Sequence, residues 1–419
     1  MSQWLAKVID VAQENQDFLA PVRQQAISKL QQAGWPSQRA EQWRFTPLAP
    51  VKDRTFNQTQ TDENVSVPEI AGLDSIDIIF TNGVLTTSLA DLALPEGLRI
   101  VSFAQANAQQ QADIKTMFGR VKPEAHVFGQ VNDALSQHGV MIDVADNANI
   151  SPVVRLINLT SADSDNHTRT LVKLGHNAKA KVMELGQGEH DSMNTAVAEY
   201  AIGDNASLEH YRFAFYTANA KAVGGSHFKL GEAAKLNSTV VGYGSQLSRL
   251  DIDIWHAAEN AFAKLNAIYL LAEGELFDLH TCIEHAKPHG TSEENARGII
   301  GDGARAVFNG RIHIHRDAQK TLAEMNNRNL LLSRRALVNT KPELEIYADD
   351  VKCAHGATVA EIEGNELFYL LSRGISRQRA MVMLNFGFIQ ELVNDIPSKA
   401  VASWLQPKLT ERFAQMEVK

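Results

Sequence analysis

Cysteine is nearly absent. Cys282 and Cys353 are the only two in 419 residues. A secreted disulfide scaffold carries more, so a reducing compartment, the cytoplasm, is expected. Long apolar runs are missing too. No stretch of about 18 uncharged apolar residues occurs, which excludes a membrane-spanning helix. The opening residues, Met1 to Lys7, begin an amphipathic stretch with no long apolar core, so no signal peptide is expected. Basic residues are outnumbered, 40 to 49, for a net charge of −9. No basic stripe stands out, and nucleic-acid binding is not expected. The chain has no Gly-x4-Gly-Lys-Ser/Thr segment, so it is not expected to hydrolyse ATP by itself. Gly301-Asp302-Gly303 completes no dinucleotide fingerprint, and no Gly-x-Ser-x-Gly elbow is present. What remains is an ordinary globular composition, 44% hydrophobic and 21% charged. The length suits one large domain with helical appendages, or about two or three domains.

Periodicity divides the chain. Val8, Val11, Ala12, Phe18, Leu19, Val22, Ala26, Ile27 and Leu30 keep helical spacing, and Gly34-Trp35-Pro36 stops it. Trp43 is expected in a docking loop, buried against the preceding helix. Residues 52–69 are polar enough for a mobile linker. Ile76–Phe80 and Leu98–Phe103 read as strands. Helical patterns cover about 105–118 and 122–138.

From residue 140 a repeat takes over. Ala148, Ala178, Ala206, Ala234 and Ala261 follow Gly-Asp-Asn-like trios at steps of 30, 28, 28 and 27, and Ala304 closes a late copy. The longer gap to Ala304 predicts an enlarged or doubled unit. Around each alanine, small and apolar residues alternate with polar ones such as Lys179, Lys181 and Glu209, which are expected to face solvent. That is strand periodicity, and a fixed interval means stacked units. A β-sandwich and a β-helix both fit; the regular corner favours the β-helix.

After residue 358 the pattern turns helical again. Asn365 is a candidate cap for a short helix, and Ser376 for a longer one reaching about Asp395. The longer helix carries two apolar stripes. Val382, Phe386, Ile389 and Val393 form one; Met381, Leu384, Phe388 and Leu392 form the other. Burial on two sides is expected, against its own neighbours or against another protein.

Three clusters carry chemistry. Cys353 and His355 alternate after the run Pro342–Ile346, so a thiol and an imidazole project together and suit a soft metal. Gly356 and Ala357 read as the turn leading out. The neighbouring Asp349 and Asp350 are expected to raise the thiol pKa, and to serve either as hard iron ligands or as turn formers. A second cluster is His280, Cys282, Glu284, His285 and His289, whose spacing fits no standard zinc pattern. The third, Arg311-Ile-His313-Ile-His315, reads as a polar outer face. A β-helix polysaccharide enzyme using Asp349 and Asp350, or a metal store using residues 280–289, are the rival readings.

The carboxyl-terminal third carries a resemblance. Phe308-Asn-Gly310, Ala318-Gln-Lys-Thr321, Asn327-Arg-Asn329, Pro342 to Thr358 through Cys353-Ala-His355-Gly356, and Leu367-Phe-Tyr369 to Arg373-Gly374-Ile375 resemble the SufB/SufD family of iron–sulfur cluster assembly proteins. The likeness returns at Arg39-x-Glu41-x-Trp43-Arg44-x-Thr46-x-Leu48. The motif and the scarcity of cysteine fit the SufD branch; Ala360 departs from the glycine usual there. The resemblance implies a mainly β fold: a right-handed parallel β-helix core over 139–355, an amino-terminal region over 1–138, and a carboxyl-terminal helical domain over 356–419. It implies a non-catalytic scaffold that pairs with a SufB-like paralogue and docks a SufC-like ATPase, with a homodimer of the isolated chain as a further expectation. On the same ground Cys353 and His355 lie at the SufB–SufD interface as transient iron or cluster ligands beside a SufB cysteine, and Phe386, Ile389 and Val393 are assigned to SufC docking. No stably bound cofactor, nucleic acid or membrane is implied.

Overall fold

The computed structural model describes residues 2–58 and 65–416. The amino-terminal helical stretch is two helices, α1 (Gln3–Glu14) and α2 (Ala20–Ala33), separated at 15–19. Gly34 ends α2 at φ +67°, a conformation glycine adopts without strain. A 3-10 turn at Glu41–Trp43 and the short α3 (Ala49–Lys52) follow. Part of the expected 52–69 linker lies outside the described residues. β1 (Ser75–Thr81), β2 (Val84–Leu85), β3 (Leu98–Ser102), α4 (Ala108–Met117) and α5 (Val127–Leu135) complete this region.

The core is a parallel β-solenoid of about eight turns. Each turn has one strand in each of two sheets. One sheet stacks β4 (His138–Val144), β6 (Asp165–Leu174), β8 (Met193–Ile202), β10 (Lys221–Leu230), β12 (Leu247–His256), β14 (Leu276–His285), β16 (Arg305–Ile314) and β18 (Leu337–Ile346). The other stacks β5 (Asn149–Leu159), β7 (Lys179–Gly188), β9 (Ser207–Tyr216), β11 (Lys235–Tyr243), β13 (Phe262–Leu271), β15 (Thr291–Ile300), β17 (Leu322–Leu331) and β19 (Lys352–Glu361). Inward side chains of both sheets form one continuous core, from Ile78 and Ile142 at one end to Met325 at the other.

The repeat marks one corner of the rod. A left-handed residue precedes each corner position: Asn147, Asn177, Asn205, Ala233, Asn260, His289 and Lys320 have φ between +51° and +61°. Backbone bonds link the corners in order. Lys179 N–H donates to Ala148 O, Phe262 N–H to Ala234 O, Thr291 N–H to Ala261 O and Leu322 N–H to Gly290 O. The expected enlarged unit before Ala304 is therefore absent. Gly290 holds the next corner position after Ala261, where a Cβ would fall 2.5 Å from His285 Nδ1. Ala304 belongs to the opposite corner, between β15 and β16.

Both sheets also bury parts of their outer faces, so their strands read as more apolar than simple alternation. Trp4, Leu5, Val8, Ile27, Leu30, Trp43 and Phe128 pack onto Met193, Val223, Leu247 and Leu276 of the even-numbered strands. Trp43 sits 5.4 Å from the Phe128 ring and under the Arg249 guanidinium at 4.0 Å, so α5 and the sheet bury it rather than the helix before it alone. α6 (Gly364–Ser372), α7 (Arg377–Asn394) and α8 (Lys399–Gln415) close the chain. α7 and α8 cover the odd-numbered strands at Met183, Tyr211, Phe213, Val241 and Ile268.

The two ends of the rod differ. β2 and β3 pair antiparallel with β1 and β4 at the first turn. At the last turn β18 and β19 are the outermost strands of their sheets. β19 runs on to Glu361, past the boundary expected at 355, and Gly356 and Ala357 lie within it rather than in a turn. α6 starts at Gly364 with Glu363, not Asn365, in the capping position.

Candidate functional site: the open end of the rod

Cys353 and His355 lie on β19, in register with Ala323 and Met325 of β17. Those two partners are fully buried core residues. The inward row of β19 thus continues the core into a layer on which nothing is stacked among the described residues. Cys353 is half-buried and packs on that core, whereas His355 is exposed. Burial raises the Cys353 thiol above its ordinary value, and the Ala323 backbone opposes this. Asp349 and Asp350 are not what raises it. Asp350 pairs with Lys320, and its backbone N–H donates to the Gln319 side-chain oxygen, so it shapes the turn before β19.

The same end exposes apolar groups. Leu337, Ile346 and Tyr347 stand out on and beside β18, and Val359 on β19. Pro342 lies within β18, a position that edge strands tolerate.

Phe386, Ile389 and Val393 are not on a free surface. Ile389 and Val393 are buried against the chain's own sheet, and Phe386 meets Phe413 of α8 edge-on at 5.0 Å. Arg297 donates to Phe388 O at 2.7 Å and pairs with Glu391, fastening α7 to β15. Both stripes are largely used internally. The exposed apolar face belongs to α6, which buries no residue: Phe368 is 70% and Tyr369 55% exposed.

The residues 280–289 do not form one site. His280, Cys282 and Glu284 face outward on β14, as their alternation predicts. His285 points inward beside His256, their rings 4.2 Å apart, and His289 is the exposed left-handed corner residue. Burial pushes the Cys282 thiol up to about 12; Asp253 adds to this and Arg311 opposes it.

Sequence reasoning missed a cleft of about 600 Å³ over the even-numbered sheet. Its floor includes Asp253, Cys282, Glu284, Arg311 and Glu345, and residues 120–126 form one wall. Glu41 reaches Lys341 at its rim, and Arg249 donates to Gln42 O at 2.6 Å. The amino-terminal motif is therefore a latch on the rod. Register was the available signal: Cys282 stacks on Arg311, and Glu284 on His313, then Glu345.

Residues 157–388 match a family described as SUF system FeS cluster assembly, SufBD core domain, and residues 5–156 match the SufBD protein N-terminal region. The chain is 29% identical to the iron–sulfur cluster assembly protein SufD of Escherichia coli, over 94% of this chain and 93% of that protein. It is also 29% identical to an iron–sulfur cluster assembly SufBD family protein of Synechocystis, over 91% and 88%. A chloroplastic protein of Arabidopsis thaliana, ABCI7, is 24% identical over 91% and 84%. With a family core spanning more than half of its length and a solenoid to match, the chain belongs to the SufBD family of SUF-system iron–sulfur cluster assembly proteins.

Proposed function

We propose that this chain is a non-catalytic scaffold of a cytoplasmic iron–sulfur assembly complex. Its open end pairs with a SufB-like paralogue, and its carboxyl-terminal helices dock a SufC-like ATPase. The observation that carries the reading is the uncapped last turn. It combines two outermost strands, an exposed apolar layer, and a thiol and imidazole on one row. Exposed strand edges are templates for another chain. A paralogous rod stacked there would bury the apolar layer and bring its own ligands towards Cys353 and His355. Iron or a nascent cluster is the cargo at that seam, and thiolate and imidazole suit it. The isolated chain is expected to cover the same end by forming a homodimer.

The docking assignment moves from Phe386, Ile389 and Val393 to α6, where Phe368, Tyr369 and Leu371 are exposed. The test of the seam is His355→Ala in the whole complex. Cluster yield should fall about 10-fold or more, comparable to losing a metal ligand's support, while the complex stays assembled by size-exclusion chromatography. Normal yield from an intact complex removes His355 from the site.

A further inference from the structure

The outer face of the even-numbered sheet carries a second group of donors, away from the Cys353 row. Glu284 on β14, His313 on β16 and Glu345 on β18 stack through the parallel register, and His315, just past the end of β16, joins the same patch. The ligand atoms of Glu284, His313 and His315 lie within 4.8 Å of one another. His315 Nε2 is 2.9 Å from Glu284 Oε1. His313 Nδ1 is 4.0 Å from the same oxygen and 3.3 Å from Glu345 Oε2. The two imidazole rings stack at 4.5 Å, nearly parallel.

One atom in this patch is in ion-pair range of two carboxylates yet well hydrogen-bonded to neither. Among the described residues nothing forms a well-aligned hydrogen bond to the buried His313 Nδ1, and the nearest carboxylate oxygen is Glu345 Oε2 at 3.3 Å. A metal at bond lengths of about 2.0–2.1 Å holds its donors roughly 3.3 Å apart. The observed separations bracket that spacing. Two imidazoles and two carboxylates are also the donor types that first-row divalent ions take, whereas magnesium and calcium prefer oxygen alone.

We propose that Glu284, His313 and His315, with Glu345 as a further oxygen donor, bind one divalent first-row transition-metal ion on the outside of the rod. Glu345 belongs to the outermost strand, so the ion would sit beside the open end. The patch is half-exposed and needs no rearrangement of the core to fill. The inference is independent of the assembly reading, because it requires only the isolated chain.

Titration of the full chain with cobalt(II) tests it, followed by zinc(II) and by iron(II) without oxygen. One equivalent should bind, with d–d bands of an N/O site and no thiolate charge-transfer band. His315→Gln and Glu284→Gln, both at half-exposed positions, should each weaken binding by at least the roughly 10–100-fold that loss of a supporting partner costs. Circular dichroism checks that each variant is folded. His126→Asn serves as a control, because His126, His227 and Asp253 form another compact donor group. Loss of binding in that variant instead, a thiolate band abolished by Cys353→Ser, or equal binding by the Glu284 and His315 variants overturns the proposal.

Discussion

Glu294 and Glu184 are both buried glutamates of the solenoid, and their surroundings give them opposite charge states. Glu184 accepts from Tyr200 at 2.8 Å and Ser226 at 2.6 Å, lies 3.0 Å from His210 Nε2, and pairs with Arg212. Burial alone would raise its pKa, but Arg212 and His210 hold it well below the ordinary range. Neither oxygen of Glu294 has a well-formed hydrogen bond among the described residues. Burial pushes its pKa up to about 7 from 4.5, with only the Thr281 hydroxyl opposing the rise. The folded chain keeps a proton that the unfolded chain releases, so this group's contribution falls as pH rises from about 4.5 to about 7, then levels off. At about 1.4 kcal/mol per unit, the loss is on the order of 3 kcal/mol. Glu294→Gln should remove that slope and stabilise the protein at about pH 8. Urea unfolding near pH 5 and near pH 8 measures it; an unchanged slope would mean that Glu294 ionises without penalty. The sequence made neither role legible, because partners arriving from other turns decide the charge.

At the scale of elements, periodicity was informative about burial and silent about what does the burying. The two stripes of α7 correctly implied cover on both sides, yet the cover comes from the rod and α8. α6, expected only as a short helix, is the α-helix left without a buried residue. Phe368→Asp should therefore leave stability within about 0.5 kcal/mol of wild type, as an exposed substitution does. It should weaken binding of the SufC-like ATPase by about 2 kcal/mol or more if Phe368 anchors the contact. Ile389→Asp should do the reverse and unfold the helical domain, since it buries an unpaired charge. Calorimetric titration with the ATPase subunit, alongside thermal melts, separates the two. Undiminished binding by Phe368→Asp would clear α6 of the docking role. The clusters at 280–289 and 311–315 show the same limit. Alternation placed His280, Cys282 and Glu284 on one face, but only strand register joins Glu284 to His313.

Over the whole molecule, the repeat made the rod legible because each turn needs the same left-handed corner and the same small residue behind it. The pattern faltered at Gly290 because the His256–His285 pair takes the room of a methyl group there. The rod's asymmetry was harder to see, since it depends on what is absent from one end. Ile346 continues the inward row above Ile314, and Val359 does so above Asn329. Both are more than 40% exposed. An uncovered core layer between two strands with open outer edges invites another chain, and inward-pointing charge is the usual device against it. Ile346→Lys combined with Val359→Lys should therefore abolish pairing with the SufB-like paralogue and dimerisation of the isolated chain. The fold should survive, because neither side chain is enclosed. Sedimentation velocity reports the assembly state, and circular dichroism the fold. A doubly substituted chain that still pairs would show that the partner binds elsewhere, and Cys353 and His355 would then face solvent rather than a seam.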